Sequence, residues 1–168
     1  MEQKYTSKDT SLNQISMVYK KIEFPPKSII LDYGGGKYDT NKKYAYDAYS
    51  SIVLVYDPYN RSEYENLETI NYFRENPAKF VVCANVLNVL YGDNVVLTVL
   101  KEIRSLMRVG GLLYISVYER DKSGIGCVTT KGYQRNMRTK DYIPFIEKAF
   151  EKKCKIQCKK NILIVEKL

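Results

Sequence analysis

Asp32-Tyr33-Gly34-Gly35-Gly36 follows the apolar run Ile29–Leu31 and carries the densest chemical signal in the chain. Glycines reach positive φ and present no Cβ, so backbone in such a turn can close on a ligand. The next apolar run, "SIVLVYD", ends at Asp57, 21 residues beyond Gly36. A carboxylate at about that interval is placed to accept hydrogen bonds from ribose hydroxyls. A tight turn plus a loop-capping aspartate is the plain alternative, but strand, glycines, strand and acid in this order favour a nucleoside site. A pyrophosphate suits it poorly. The dinucleotide fingerprint G-x-G-x-x-G rests the pyrophosphate on a helix N-terminus, and here Asp39 replaces the third glycine.

Other residues with chemical potential stand at or after later apolar runs. Asn85 closes "KFVVCAN", and Tyr118 and Glu119 close "LLYISVYE". Glu119 is a candidate general base, with capping of the following loop as its alternative. That loop, residues 120–140, combines Lys131, Arg135 and Arg138 with Tyr133, Gln134 and Asn136. Cations interleaved with an aromatic ring and amides can grip a phosphate backbone and stack or hydrogen-bond a base; a mobile surface loop would have a similar composition.

Charge points the same way. The chain has 27 Lys and Arg against 19 Asp and Glu; residues 120–160 hold 12 and 4 of them, leaving 15 of each elsewhere. A localised basic face is the footprint expected for a polyanion such as nucleic acid, although a solvated lysine-rich surface gives the same count. The sequence has no histidine, which excludes His triads, His proton relays and most catalytic zinc sites; no metal site is expected. Cys83, Cys127, Cys154 and Cys158 are scattered and read as reduced thiols of a cytoplasmic protein. Cys83 lies inside an apolar run and is assigned to the core. Of the 16 tyrosines, Tyr38, Tyr44, Tyr46, Tyr49, Tyr56 and Tyr59 crowd near the glycine turn, mostly as packing.

The elements that must position these groups follow from periodicity. At 168 residues the chain suits one domain. It has no apolar run long enough to span a membrane, and its polar start, "MEQKYTSKDTS", lacks the apolar core of a signal peptide. Residues 1–24 read as an N-terminal helical extension, with Leu12, Ile15, Tyr19 and Ile22 at helical spacing over 11–22 and Ser11 as N-cap. Short apolar runs then alternate with amphipathic stretches, among them 62–76 with Leu67, Ile70 and Phe73 inward. A second stretch opens at an Asp93 N-cap, with Val96, Leu100, Ile103 and Met107 in one stripe and "VGG" as its stop. "CKIQCKKNILIVEKL" closes the chain as a hairpin turning near Lys160-Asn161. The order predicts an α/β fold with a mostly parallel sheet and a C-terminal antiparallel hairpin. Ligands bind such sheets at the carboxyl ends of the strands, where Gly34, Asp57 and Asn85 should converge.

Asp32-Tyr33-Gly34-Gly35-Gly36 resembles motif I, D/E-x-G-x-G, of the class I (Rossmann-like) S-adenosylmethionine-dependent methyltransferases. The resemblance continues through Asp57 in "VLVYDPYN" as the motif II acid, "FVVCANVLNVL" as motif IV, the double glycine of "SLMRVGGLLYISV" and the closing hairpin, and covers residues 28–168. It implies S-adenosylmethionine as cofactor, a positively charged nucleoside without phosphate. It further implies that Asp32, Gly34, Gly35, Gly36, Asp57, Pro58, Tyr59, Asn85 and Val86 hold this cofactor. The implied activity is methyl transfer to a nucleic acid or nucleotide-like acceptor. Asn85 and Glu119 are the catalytic candidates, and Lys131, Tyr133, Gln134, Arg135 and Asn136 the acceptor contacts. A small-metabolite acceptor and a non-catalytic S-adenosylmethionine-binding protein are the alternatives.

The segments "TSLNQ", "DYGGGKYD", "DPYNRS", "ANVLNVL" and "YQRN" are similar, more narrowly, to small methyltransferase-like proteins of phages and mobile elements. Two departures stand out. Between Asp57 and "KFVVCA" there is room for a helix but not for a further strand and helix, so the family's third strand, which presents an acid to the adenine, is expected to be missing or degenerate. Asn71 and Asn76 are the candidates to replace that acid. "DPYN" also differs in place from the D-P-P-Y that grips a flipped adenine, and reads instead as cofactor contacts.

Overall fold

The computed structural model describes residues 11–168. Two short parallel strands, β1 (Ile29–Tyr33) and β2 (Ile52–Tyr56), flank α2 (Thr40–Tyr49), which follows α1 (Met17–Lys21). The chain continues through α3 (Glu63–Glu75), β3 (Ala78–Ala84), α4 (Asp93–Leu106) and β4 (Met107–Ser116). A small hairpin, β5 (Cys127–Thr129) and β6 (Gly132–Gln134), comes next, then α5 (Ile143–Ala149) and the closing pair β7 (Cys154–Lys159) and β8 (Ile162–Lys167). The main sheet runs β2-β1-β3-β4-β8-β7, parallel from β2 to β4 and antiparallel through β8 and β7. This is the expected α/β architecture. With β2 at one edge of the sheet, no further strand lies beyond it among the described residues, in line with the missing third strand.

Alternation along the strands sorts the core into two layers. Leu31, Val81, Leu113 and Val165 pack with α3, α4 and α5 on one face. Ile30, Val53, Phe80, Val82 and Tyr114 pack with α1, Phe24 and Ala45 of α2 on the other. Helix α3 starts in a capping box, Ser62 accepting from the Glu65 N–H while Glu65 reaches back to Ser62. Cys83 is fully buried, as expected of a core thiol.

Several elements differ from the sequence reading. Helix α1 covers only Met17–Lys21 after Ser16. Residues 11–16 run instead as extended and bent chain, with Thr40 Oγ1 donating to Gln14 O and the Ser16 N–H to Asn41 Oδ1. Residues 1–10 of the proposed N-terminal helix lie outside the described residues. Leu67 is exposed; Thr69, Ile70 and Phe73 form the inner face of α3. Gly92 precedes α4, and Asp93 sits in its first turn, paired to Arg135. "VGG" does not stop that helix: β4 already begins at Met107, and the double glycine forms an irregularity between the Ala78–Met107 and Phe80–Leu112 pairs. The 120–140 loop contains the β5–β6 hairpin. The closing hairpin turns on Lys160 and Asn161, both at positive φ (52° and 62°), as a two-residue turn of right-handed twist requires.

Candidate functional site

A cavity of about 920 Å³ opens at the carboxyl ends of β1 to β4. One half is built on the glycine turn. Gly34 takes φ 78°, and its N–H donates to Tyr56 O at 2.6 Å. A Cβ on Gly34 would run into Val86 Cγ2, so the turn and the end of β3 meet without room for a side chain. Asp57 is buried and ties this turn to its own: Oδ2 accepts the Gly36 N–H at 2.9 Å, while Oδ1 accepts the Tyr59 and Asn60 N–H groups at 3.0 Å each. Asn66, reaching from α3, accepts the Asp57 N–H at 2.8 Å and donates to its carbonyl at 3.0 Å.

Arg61 clamps the far end of the turn, Nε donating to Gly36 O and Nη2 to Asp39 Oδ1, both at 2.8 Å. Asp39 is therefore not aimed at a ligand. Although its burial works in the opposite direction, Arg61 and Lys42 hold its pKa below the ordinary carboxylate value. Its charge is already answered, so it carries no argument against a pyrophosphate.

Asp32 is 1% exposed, yet it borders the cavity. Tyr19 Oη donates to its Oδ2 at 3.2 Å and Asn41 Nδ2 at 3.0 Å. Burial raises its pKa from 3.8 to about 6 against the opposing pull of those two bonds. The Tyr19 bond also anchors the N-terminal segment, whose residues Ser11 to Lys21 wall the cavity; a Cβ on Gly36 would meet Ser11 Oγ at 2.9 Å.

The second half lies under the 118–134 stretch. Asn85 stands at φ 59°, exposed toward the cavity, with its N–H on Ser116 O at 2.8 Å. Gln134 Nε2 donates to Tyr118 O at 2.7 Å, and Asn88 Nδ2 to Gln134 Oε1 at 3.0 Å, so the β5–β6 hairpin is fastened to the turn after β3. Tyr133 packs edge-on against Tyr91, with ring centroids 5.0 Å apart. Glu119 also borders the cavity, but its Oε1 accepts both the N–H and the hydroxyl of Thr139, at 2.8 and 2.9 Å, and Lys122 stands 3.6 Å from Oε2. Burial acts to raise its pKa, and the bonds from Thr139 and the Lys122 charge outweigh it and hold the pKa low. These are the contacts of a loop cap.

Of the residues singled out from sequence, Asp32, Gly34, Gly35, Gly36, Asp57, Pro58, Tyr59, Asn85, Val86, Glu119, Lys131, Tyr133 and Gln134 all border this cavity. Arg135 and Asn136 do not, which corrects their expected role. Arg135 is buried, its guanidinium on Leu90 O and Asp93 and above the Phe145 ring. Asn136, at φ 56°, donates to Ile125 O at 2.8 Å and so shapes the loop from within. Asn71 and Asn76 are also away from the cavity: Asn71 is exposed on α3, and Asn76 caps that helix on Tyr72 O.

Asn60 differs from both. It borders the cavity, and its Oδ1 is buried with no hydrogen-bond partner among the described residues. The Asp57-to-Asn60 spacing is that of an Asx-type turn, a signal present in the sequence. Tyr19, Arg61 and Asn88 were missed because their partners lie 13 to 46 residues away, and Asn41 and Asn66 because their spacing of nine residues from Asp32 and Asp57 matches no local pattern.

No protein-family model matches the sequence, and no curated protein matches it. Solved structures do match its fold. A methyltransferase from Methanosarcina mazei, described as S-adenosylmethionine-dependent, superposes with TM-score 0.64 at 11% identity, over 94% of this chain and 99% of that one. Human N-acetylserotonin methyltransferase in complex with S-adenosylmethionine gives 0.56 at 17% identity, over 83% of this chain and 47% of that one. The 1,6-didemethyltoxoflavin-N1-methyltransferase of Burkholderia thailandensis, with its substrate and S-adenosylhomocysteine bound, gives 0.56 at 16%, over 85% and 71%. The chain thus spans about half the length of the human enzyme. Its fold is that of the class I S-adenosylmethionine-dependent methyltransferases, without the third strand.

Proposed function

We propose that this protein is an S-adenosylmethionine-dependent methyltransferase acting on a small-molecule acceptor. The observation that carries this reading is one cavity in which the glycine turn, the buried Asp32 and Asp57 line one end and the 118–134 stretch lines the other. The residues present fit the cofactor. Backbone replaces side chains at Gly34 to Gly36, two acids suit a cationic, phosphate-free nucleoside, and the orphaned Oδ1 of Asn60 awaits a donor. When bound, S-adenosylmethionine would supply its sulfonium methyl group for displacement by a lone pair of the acceptor, with S-adenosylhomocysteine as the leaving group.

Such a displacement depends chiefly on alignment, which this chain supplies without histidine. Asp57 and Asn60 would hold the nucleoside end, Asp32 with the glycine turn the amino-acid end, and Asn85 and Val86 the junction with the acceptor. Glu119 fixes the wall of the acceptor compartment through Thr139.

The small-molecule reading is favoured over a nucleic acid by where the cations lie. Of the 12 basic residues in 120–160, three, Arg120, Lys122 and Lys131, border the cavity, so most of the basic excess stands away from its lining. The two neighbours above with named substrates carry small-molecule names. The narrower likeness to phage and mobile-element proteins rests on its short sequence segments alone. No helix among the described residues is long and apolar enough to cross a membrane.

Calorimetry with S-adenosylmethionine and S-adenosylhomocysteine tests the cofactor, and labelled methyl transfer into fractionated cell extract tests the reaction. Binding of both, with label entering the small-molecule fraction, is expected. Absence of binding removes the proposal, and tight binding without transfer to any fraction leaves a binding protein in its place.

A further inference from the structure

Resting on the methyltransferase reading, the structure assigns a chemical class to the acceptor: we propose a small anionic molecule, its negative group at the basic rim of the cavity and an N–H or O–H donor on Asn88 Oδ1. The cavity is polarised. Asp32 and Asp57 lie at the glycine-turn end, whereas Lys20, Lys21, Arg120, Lys122 and Lys131 border the remainder. The acid on that side, Glu119, is committed to Thr139 and Lys122. Neither Lys20 nor Lys131 has a carboxylate partner among the described residues. They come from separate elements, Lys20 from α1 and Lys131 from the β5–β6 turn, and both border the cavity. A cleft lined by one sign of charge concentrates ligands of the other.

The second observation is independent of charge. Asn88 is 2% exposed and borders the cavity; its Nδ2 is used on Gln134, but its Oδ1 is buried without a partner among the described residues. Buried polar atoms are ordinarily satisfied, and the Gln134 bond fixes the amide with its oxygen as the vacant acceptor. An acceptor molecule with a donor group and a negative charge satisfies both features.

The test begins with a cell extract freed of macromolecules by filtration and split on anion-exchange resin at neutral pH into bound and unbound pools. Each pool, and the retained macromolecules, is incubated with the protein and methyl-labelled S-adenosylmethionine. Label is expected from the bound small-molecule pool. The double variant Lys20→Glu/Lys131→Glu should slow that labelling by at least about tenfold, as removal of complementary charge does, with its S-adenosylhomocysteine affinity by calorimetry kept within about twofold. Label from the unbound pool, label in macromolecules, no label from any pool despite S-adenosylhomocysteine binding, or full-rate labelling by the variant each overturns the anionic assignment. If the unaltered protein fails to bind S-adenosylhomocysteine, the methyltransferase reading falls and takes this inference with it.

Discussion

Asp57 Oδ2 accepts the Gly36 N–H at 2.9 Å, so the acid that ends β2 holds the glycine turn that follows β1. With Oδ1 capping the Tyr59 and Asn60 N–H groups, one buried carboxylate organises both loops of the nucleoside end. Asp57→Ala leaves four part-buried donors without their acceptor, the N–H groups of Gly36, Tyr59 and Asn60 and the Asn60 side-chain amide, each worth up to about 1–3 kcal/mol when left unpaired. We expect a fall in Tm of several degrees and loss of more than about tenfold in S-adenosylhomocysteine affinity, read by thermal melting and calorimetry. An unchanged affinity would show that the turn holds its shape without the acid.

Gly34 is constrained twice, by φ 78° and by Val86. Gly34→Ala should cost about 1–3 kcal/mol through backbone strain alone, with the collision added. In Gly34→Ala/Val86→Ala the collision is relieved and the strain stays, so chemical denaturation should show partial rescue. Full rescue would mean that the backbone conformation costs nothing, and no rescue that Val86 is not the obstacle.

Asp32 sets a pH dependence. Its folded pKa of about 6 lies above the ordinary 3.8, so the folded state holds the proton more tightly. Its contribution to stability is therefore full below about pH 4 and is lost as pH rises through about 6. Asp32→Asn should accordingly raise Tm at neutral pH. A cationic ligand favours the ionised carboxylate, and S-adenosylhomocysteine lacks the sulfonium charge. The ratio of S-adenosylmethionine to S-adenosylhomocysteine affinity should thus rise several-fold between about pH 5 and pH 7, and calorimetry on Asp32→Asn should show it flat.

Arg135 belongs to the packing of the loop. Its guanidinium joins Leu90 O, Asp93 and the Phe145 ring, so Arg135→Ala should lower stability by about 1–3 kcal/mol. Lys131→Ala, on an exposed side chain of the cavity wall, should leave Tm unchanged and act on the acceptor reaction alone. Equal Tm values for the two variants would contradict this division.

The alternation of main-sheet strands and helices, the glycine turn, the Lys160-Asn161 turn and the missing third strand could all be read along the chain, whereas the β5–β6 hairpin could not. Each rests on local periodicity, on a residue type that tolerates positive φ, or on the bare length between two elements. Their convergence also followed, since Gly34, Asp57 and Asn85 end neighbouring parallel strands and must share one edge. The side chains of the 120–140 loop were a different matter: Lys131 and Tyr133 border the cavity, while Arg135 and Asn136, of the same polar character and a few positions on, turn inward. Composition cannot distinguish them, because the difference is made by Leu90 and Asp93 on another segment and by the way the loop folds back on Ile125. Asp39 shows the same limit, its charge absorbed by Arg61, 22 residues later. The sequence by itself determined the frame and the place of the site, through short-range backbone preferences and burial patterns. The docking of the N-terminal segment on Asn41 and Asp32, the Asn88–Gln134 amide pair 46 residues apart and the split of acids from cations were decided by the tertiary structure, because each depends on side chains meeting across the fold.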